Sequence, residues 1–292
     1  MTDLSIASVF GVEGLVAVVT GGGTGIGLMM ATALENNGAT VYIVGRRLNI
    51  LENAANVHAK HGRMFPLQGD VTVKDDLTRI AATIKEREGK LDLLVANSGV
   101  MSQKQFDFPE GVAGNPAKLS EFWMKSSQED WDHTFSVNVT SVFFTTVAFL
   151  ELLDLGNKAR GEGKATSQIV ITGSIGGFMR VTPFAFTYNA TKAATIHLAK
   201  MLASFFLDYN IRVNILCPGM YPSQMTGSDF DAETNKTQLK PYPTSIIPMG
   251  RAGSEQEMGG AILYMASAAG GYSTGSVLVT DGGRLSKFPS VY

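Results

Sequence analysis

The sequence predicts an α/β domain built on a doubly wound parallel sheet, about seven strands with helices on both faces. Three observations lead there. Strand-length runs are continuously apolar rather than alternating, as expected of strands buried on both sides. Stretches with helical spacing of apolar residues separate them. The alternation runs from residue 15 to 280 with neither linker nor internal repeat, so the 292 residues read as one domain, 1–292.

In order, LVAVV (15–19) is a short buried strand that runs into glycines and then into the helical pattern IGLMMATALENN. ATVYIVG (39–45) is rich in β-branched residues and precedes an amphipathic helix from Asn49 to about His61. RMFPLQ (63–68) is a third strand, weakened by Pro66. A helix follows over Val73 to Glu88, then the strand LDLLVAN (91–97). Residues 131–153 read as one long helix, apolar nearly all round and therefore buried. QIVITG (168–173) is the fifth strand, residues 184–209 the next helix, and IRVNILCPG (211–219) the sixth strand. SEQEMGGAILYMAS opens on Ser254 as N-cap, with Glu257 as its capping-box partner, and SVLVTDGG (276–283) is the seventh strand.

Three stretches break the rhythm. Residues 101–127 form a long insertion. Residues 155–167 are polar and read as a solvated loop, whose GEGKA is not a phosphate loop because Ala165 follows Lys164. Residues 220–250 hold Pro222, Pro241, Pro243 and Pro248 with little periodicity, the pattern of a lid or binding loop.

Composition excludes several classes of partner. With 24 basic and 26 acidic side chains the formal charge is -2, which gives no basic field for nucleic acid or an anionic membrane. One cysteine, Cys217, allows no internal disulfide and reads as a small buried hydrophobe. The first residues lack a basic n-region, and no run approaches the roughly 18 apolar residues of a membrane span. A cytoplasmic location is expected. The histidines, His58, His61, His133 and His197, make no metal pattern; His58 and His61 fall on a polar helix end and are expected to be solvated.

The first strand runs into TGGGTGIG (20–27). A strand, a glycine-rich turn and a helix form a dinucleotide site: glycines let the backbone approach a pyrophosphate, and the helix N-terminus offers free N–H groups. The second strand ends in Arg46 and Arg47, where an NAD site carries an acid for the ribose 2′-OH. Arginine there pairs with a 2′-phosphate, so NADP(H) is expected. Asp70, at the end of the third strand, fits two roles: accepting from an adenine amino group, or capping the helix that follows.

FAFTYNATKAAT (184–195) places Tyr188 and Lys192 one helical turn apart on one face. YxxxK alone decides nothing. In order along the chain, however, stand TGGGTGIG, GDVT, ANSG, the Asn of SVNVT, the Ser of ITGSIGG, YNATK and CPG. This set resembles the short-chain dehydrogenase/reductase family, whose compact form is a single Rossmann domain, over roughly residues 12–285. The family's Asn-Asn-Ala-Gly is Ala96-Asn97-Ser98-Gly99 here, a small departure; the insertion at 101–127 is a larger one.

By motif, the resemblance implies a catalytic tetrad of Asn138, Ser174, Tyr188 and Lys192. It implies cofactor contacts from Gly21, Gly23, Thr24, Gly25, Ile26 and Gly27, from Arg46, Arg47, Asp70 and Val71, from Asn97 and Gly99, and from Tyr188 and Lys192. After the sixth strand, Pro218, Gly219, Tyr221 and Ser223 would hold the nicotinamide carboxamide. It further implies a homodimer or homotetramer, and an overall likeness to reductases of fungal secondary metabolism.

The chemistry suits these residues. Reduction of a ketone needs a proton for the developing alkoxide, and free tyrosine, with a pKa near 10, is a poor base near neutrality. A lysine one turn away is expected to lower it. Ser174 would hold the substrate oxygen, and Asn138, as the resemblance implies, a water linking Lys192 to solvent. Taken singly, Ser174 equally caps the next turn, and Asn138 satisfies backbone groups in a helix kink. Phe178, Met179, Phe184, Tyr221, Met225 and Met249 flank the expected pocket, pointing to a bulky, apolar ketone or secondary alcohol as the small-molecule partner. A non-redox cyclase or dehydratase and a cofactor-binding scaffold are the rival readings; both would tolerate Tyr188→Phe better than a reductase would.

Overall fold

The computed structural model describes residues 3–101, 108–160, 165–181, 185–225 and 241–292. Its strands are β1 (Val16–Thr20), β2 (Thr40–Gly45), β3 (Met64–Gln68), β4 (Leu93–Ala96), β5 (Gln168–Thr172), β6 (Arg212–Pro218) and β7 (Val277–Thr280). Among the described residues the α-helices are α1 (Ile6–Phe10), α2 (Gly25–Asn36), α3 (Leu48–His58), α4 (Lys74–Glu88), α5 (Pro116–Met124), α6 (Gln128–Phe135), α7 (Ser141–Ala148), α8 (Leu150–Arg160), α9 (Phe186–Phe205) and α10 (Glu255–Ala266). The strands form one sheet in the order β3-β2-β1-β4-β5-β6-β7, and every pairing is parallel. The order reverses between β1 and β4, and a crevice opens there at the strands' carboxyl ends.

Strand side chains alternate between the two faces. Val18, Leu94, Ile169, Ile171 and Ile215 pack with Ile80 and Ile84 of α4, Val142 of α7 and Ile196 of α9. Ala17, Val19, Val95, Val170 and Leu216 pack with Leu28, Met30 and Leu34 of α2, Leu51 of α3 and Ile262 of α10. Both faces are therefore buried, which explains the unbroken apolar runs. Pro66 is accommodated because β3 is an edge strand, where a missing N–H interrupts no second ladder. The capping box forms as expected: Glu257 N–H donates to Ser254 Oγ (3.3 Å) and Ser254 N–H to Glu257 Oε2 (2.8 Å).

Glu35, fully buried at the end of α2, ties the β2–β3 half together. Its carboxylate accepts from the backbone N–H groups of Lys60 and His61 (2.7 Å each) and Arg63 (3.0 Å). Burial raises its pKa, but the three N–H donors outweigh that and hold it below the ordinary 4.5. A depressed carboxyl pKa contributes stability above the unfolded value and loses it as pH falls through the folded one. Glu35→Ala is therefore expected to cost about 2–4 kcal/mol at pH 7, with the gap to wild type closing below pH 4.5. Denaturant unfolding at a series of pH values measures it.

The chain departs from expectation in several places. The single helix expected over 131–153 is three helices. A π turn at Ser136–Thr140 joins α6 to α7, and the axis bends by 48° before α8. Phe143 and Val147 are 41% and 44% exposed, so this segment is not buried all round. Helix α8 runs to Arg160, into the expected loop, and 161–164, including most of GEGKA, lie outside the described residues. The insertion carries α5, started by an Asn115 cap and Pro116. Residues 226–240 of the expected lid lie outside the described residues; its later part packs Ile247 into the interior. No single helix among the described residues is long and apolar enough to cross a membrane.

Candidate active site

The turn after β1 is held open by glycines. Gly21 and Gly25 have φ of +64° and +54°, a region that side chains with a Cβ rarely enter. A Cβ on Gly27 would stand 2.5 Å from Asn97 Nδ2 and strike the Gly21 carbonyl, so this glycine brings α2 close against the strand. Asn97 braces the turn: its Nδ2 donates to Thr20 O at 3.0 Å, and Thr20 Oγ1 accepts from the N–H groups of Asn97 and Ser98 at 3.0 Å each. The Asn97 amide thus shapes the loop from below. Helix α2 has no side-chain cap and no acid in its first turn, which leaves its N–H groups available to an anion.

At the end of β2, Arg46 and Arg47 are exposed at the rim, with no carboxylate beside them in the sequence, and Arg47 Nη2 donates to Gln224 Oε1 at 3.0 Å. Asp70 does not cap α4, whose N-cap is Val73 with no side-chain cap; its Oδ1 accepts from Thr72 N–H (2.9 Å) and Thr72 Oγ1 (2.7 Å), an Asx turn that leads toward the helix.

Tyr188 and Lys192 project from one face of α9 toward the end of β5. Lys192 Nζ donates to Thr172 O at 3.1 Å and lies 5.9 Å from the Tyr188 ring centroid. Ser174 Oγ accepts from Gly176 N–H at 3.0 Å, and its hydroxyl acts on the Tyr188 phenol, pulling the phenol's pKa down against burial. Ser174 is thus both the cap of a short turn and the partner of Tyr188.

Asn138 sits inside the π turn, fully buried. Its Oδ1 accepts from Val100 N–H (2.8 Å), and its Nδ2 donates to Val100 O (2.9 Å) and Thr191 Oγ1 (3.1 Å). Thr191 Oγ1 in turn donates to Tyr188 O at 2.8 Å, and Thr195 Oγ1 donates to the Asn138 carbonyl at 2.7 Å. The wider π turn leaves that carbonyl for a side chain to reach. Asn138 therefore clamps the loop after β4 to the helix bearing Tyr188. Its side-chain amide is occupied by Val100 and Thr191.

These parts enclose one cavity of about 680 Å³. Ser174 and every residue expected to touch a dinucleotide line it: Gly21, Gly23, Thr24, Gly25, Ile26, Gly27, Arg46, Arg47, Asp70, Val71, Asn97, Gly99, Tyr188, Lys192, Pro218, Gly219, Tyr221 and Ser223. Asn138 stands behind the wall. A Cβ on Gly99 would meet its Oδ1 at 3.3 Å and Lys192 Nζ at 3.5 Å. Of the expected substrate-side residues, Met179, Tyr221 and Met225 line the cavity. Phe178 instead belongs to the core and packs on Tyr292, Met249 is 66% exposed, and Phe184 lies outside the described residues. The insertion reaches the N-terminus of α9 through Trp123, whose ring packs edge-on against Phe186 at 5.5 Å.

Sequence reading missed Thr20, Thr191, Gln224 and Arg284. The first two stand inside quoted motifs, but their partners Asn97, Ser98 and Asn138 are more than fifty residues away in sequence. Gln224 and Arg284 carry no local signal.

Electrostatics correct one expectation. Burial pushes the Tyr188 phenol above its ordinary 10.0; the Ser174 hydrogen bond pulls it down and the Cys217 thiol nudges it up. Lys192 does not bring it below the ordinary value. Burial also lowers the Lys192 ammonium to about 8. The arrangement thus presents a neutral phenol, a suitable proton donor, beside a cation that is easily neutralised. Cys217 is fully buried and its thiol is raised to about 12 by burial, so it is no nucleophile. His58 is half-buried rather than solvated, and burial lowers its pKa. No cluster of metal ligands occurs among the described residues.

Comparison with known proteins agrees with this geometry. A family model described as enoyl-(acyl carrier protein) reductase matches residues 21–284. The chain is 46% identical to short-chain dehydrogenase/reductase PhomF of Diaporthe leptostromiformis, over 99% of this chain and 98% of that protein. It is 41% identical to short-chain dehydrogenase/reductase VdtF of Byssochlamys spectabilis, with the same coverage of each, 99% and 98%. The solved Pseudomonas aeruginosa RhlG/NADP active-site complex superposes with a TM-score of 0.79 at 29% identity, covering 94% of this chain and 97% of that one.

Proposed function

Because the chain belongs to the short-chain dehydrogenase/reductase family, an oxidoreductase family, we propose that it interconverts a ketone and a secondary alcohol with NADP(H), using Tyr188 as acid and base. The observation that carries this reading is the convergence of Ser174, Tyr188 and Lys192 on the same cavity that the glycine turn and Arg46/Arg47 open into. The residues suit a dinucleotide: the turn would be filled by side chains at Gly21, Gly25 and Gly27, and α2 presents an uncapped N-terminus. When bound, the nicotinamide supplies the hydride chemistry.

The chain's own residues do the rest. Ser174 Oγ, oriented by Gly176 N–H, holds the substrate oxygen beside the phenol. Tyr188, kept protonated by burial, delivers the proton as that oxygen gains charge. Lys192 stabilises the phenolate left behind, and Asn138 keeps both side chains in place through Thr191. In the oxidative direction the phenol must lose its proton first, so that direction benefits from higher pH.

Support for NADP(H) comes from Arg46 and Arg47 at the cavity rim and from the RhlG/NADP complex as a structural neighbour. The test is a fluorescence titration with NADPH and NADH in parallel. Wild type is expected to prefer NADPH. The Arg46→Ala/Arg47→Ala pair is expected to lose NADPH affinity by tenfold or more, about the strength of a charge-assisted phosphate contact, and to keep its NADH affinity. Equal affinities in wild type would remove the arginine argument. The apolar wall of Met179, Met220 and Met225 supports a bulky substrate.

A further inference from the structure

Two arginines among the described residues are buried, Arg212 at 8% and Arg284 at 7% exposed. They differ in what they touch. Arg212 Nη1 donates to Gln168 Oε1 (2.6 Å) and Gly270 O (3.0 Å), and its Nη2 to Thr166 O (3.0 Å), tying strands together at the end of the sheet away from the cavity. Arg284 lines the cavity itself. Its Nε, like that of Arg212, meets no hydrogen-bond partner, but Arg284 lacks the Nη hydrogen bonds that Arg212 makes among the described residues; its guanidinium lies 5.3 Å from the Phe288 ring. Among the described residues it forms no ion pair. The carboxylate of Asp281 is spent on the N–H groups of Gly283 (2.8 Å) and Leu285 (2.7 Å). Burial lowers the Arg284 pKa, with Tyr242 and Asp281 opposing. A cation desolvated without acceptors is costly unless something supplies them.

Position decides what would supply them. Arg284 follows β7, at the opposite edge of the sheet from the half that carries the glycine turn, Arg46 and Arg47. The segment after it is sewn to the chain beyond Ser174: Arg180 N–H donates to Pro289 O (2.8 Å) and Val291 N–H to Phe178 O (2.9 Å). The segment after Arg284 is thereby fastened to the Ser174 side of the site, and Arg284 lines the same cavity as Met179, Met220 and Met225.

We propose that Arg284 anchors an anionic oxygen of the substrate, a carboxylate or an ionised enol or phenol, and so selects acidic ketones over neutral ones of the same shape. This rests on the ketoreductase reading and sharpens it, from an apolar substrate to an apolar skeleton carrying one acidic group.

The test is calorimetric titration of the NADP⁺-saturated protein with para-acetylbenzoate and with its methyl ester. Wild type is expected to bind the acid about tenfold or more tighter than the ester. Arg284→Met should abolish the preference by weakening the acid alone. Arg284→Lys, which keeps the charge, should retain part of it and serves where the methionine variant does not fold. NADPH affinity should be unchanged in both variants. Equal affinities, no binding of either probe, or a preference that survives Arg284→Met would overturn the assignment. So would a loss of NADPH affinity, which would move the guanidinium to the cofactor phosphates. If wild type binds no NADPH, the cofactor reading falls separately, and the acid-to-ester ratio is read on the protein alone.

Discussion

Tyr188→Phe is expected to lower turnover by about 10²–10⁴ in both directions, the usual contribution of a positioned acid and base. Affinity for NADPH should stay near wild type. The phenylalanine keeps the ring that stands 5.9 Å from Lys192 Nζ and removes only the hydroxyl that interacts with Ser174. Unfolding should shift little, by about 1 kcal/mol for one hydrogen bond. Steady-state kinetics beside the fluorescence titration separate the outcomes. Turnover that survives the substitution would remove Tyr188 from the chemistry and favour a non-redox or scaffold role. The wild-type pH profile adds a second signature. Reduction should decline as pH rises through about 8, where the buried Lys192 ammonium loses its proton.

The other large effect is expected at Asn138. Asn138→Ala leaves Val100 N–H, Val100 O and Thr191 Oγ1 without their side-chain partner. Each is at least partly buried, and the summed loss is expected to be about 3–4 kcal/mol. Turnover should fall with it, because Thr191 is what connects the clamp to the Tyr188 carbonyl. A role confined to catalysis would lower turnover and leave the unfolding midpoint unmoved; a role confined to stability would do the reverse. The structure predicts both together, measured by denaturant unfolding and by kcat on the same preparation. Asn138→Asp, which keeps the acceptor for Val100 N–H, should recover part of the stability.

Much of this site was legible before any coordinates. The glycine turn and the arginines are local, since backbone freedom and charge show in a few neighbouring residues; the YxxxK pair became readable only with the other motifs in order along the chain. The π turn within the 131–153 segment was not legible. An apolar run looks the same whether its helix continues or widens by one residue, and the π turn is held by Thr195, 57 residues after Asn138. Arg284 was equally silent, since nothing near it in sequence says that it is buried.

The amino-acid sequence by itself determined the alternation of strands and helices, the crevice at the strand ends and the glycine turn that opens into it. Those follow from hydrophobic period and from the steric freedom of glycine, which are properties of short segments. Tertiary structure alone decided the electrostatics: that the Tyr188 phenol is raised rather than lowered, that Lys192 sits near neutrality, that Asn138 is a clamp, and that one arginine faces the cavity without an acceptor. Desolvation and long-range hydrogen bonding set these properties, and both depend on which distant segments close over a group.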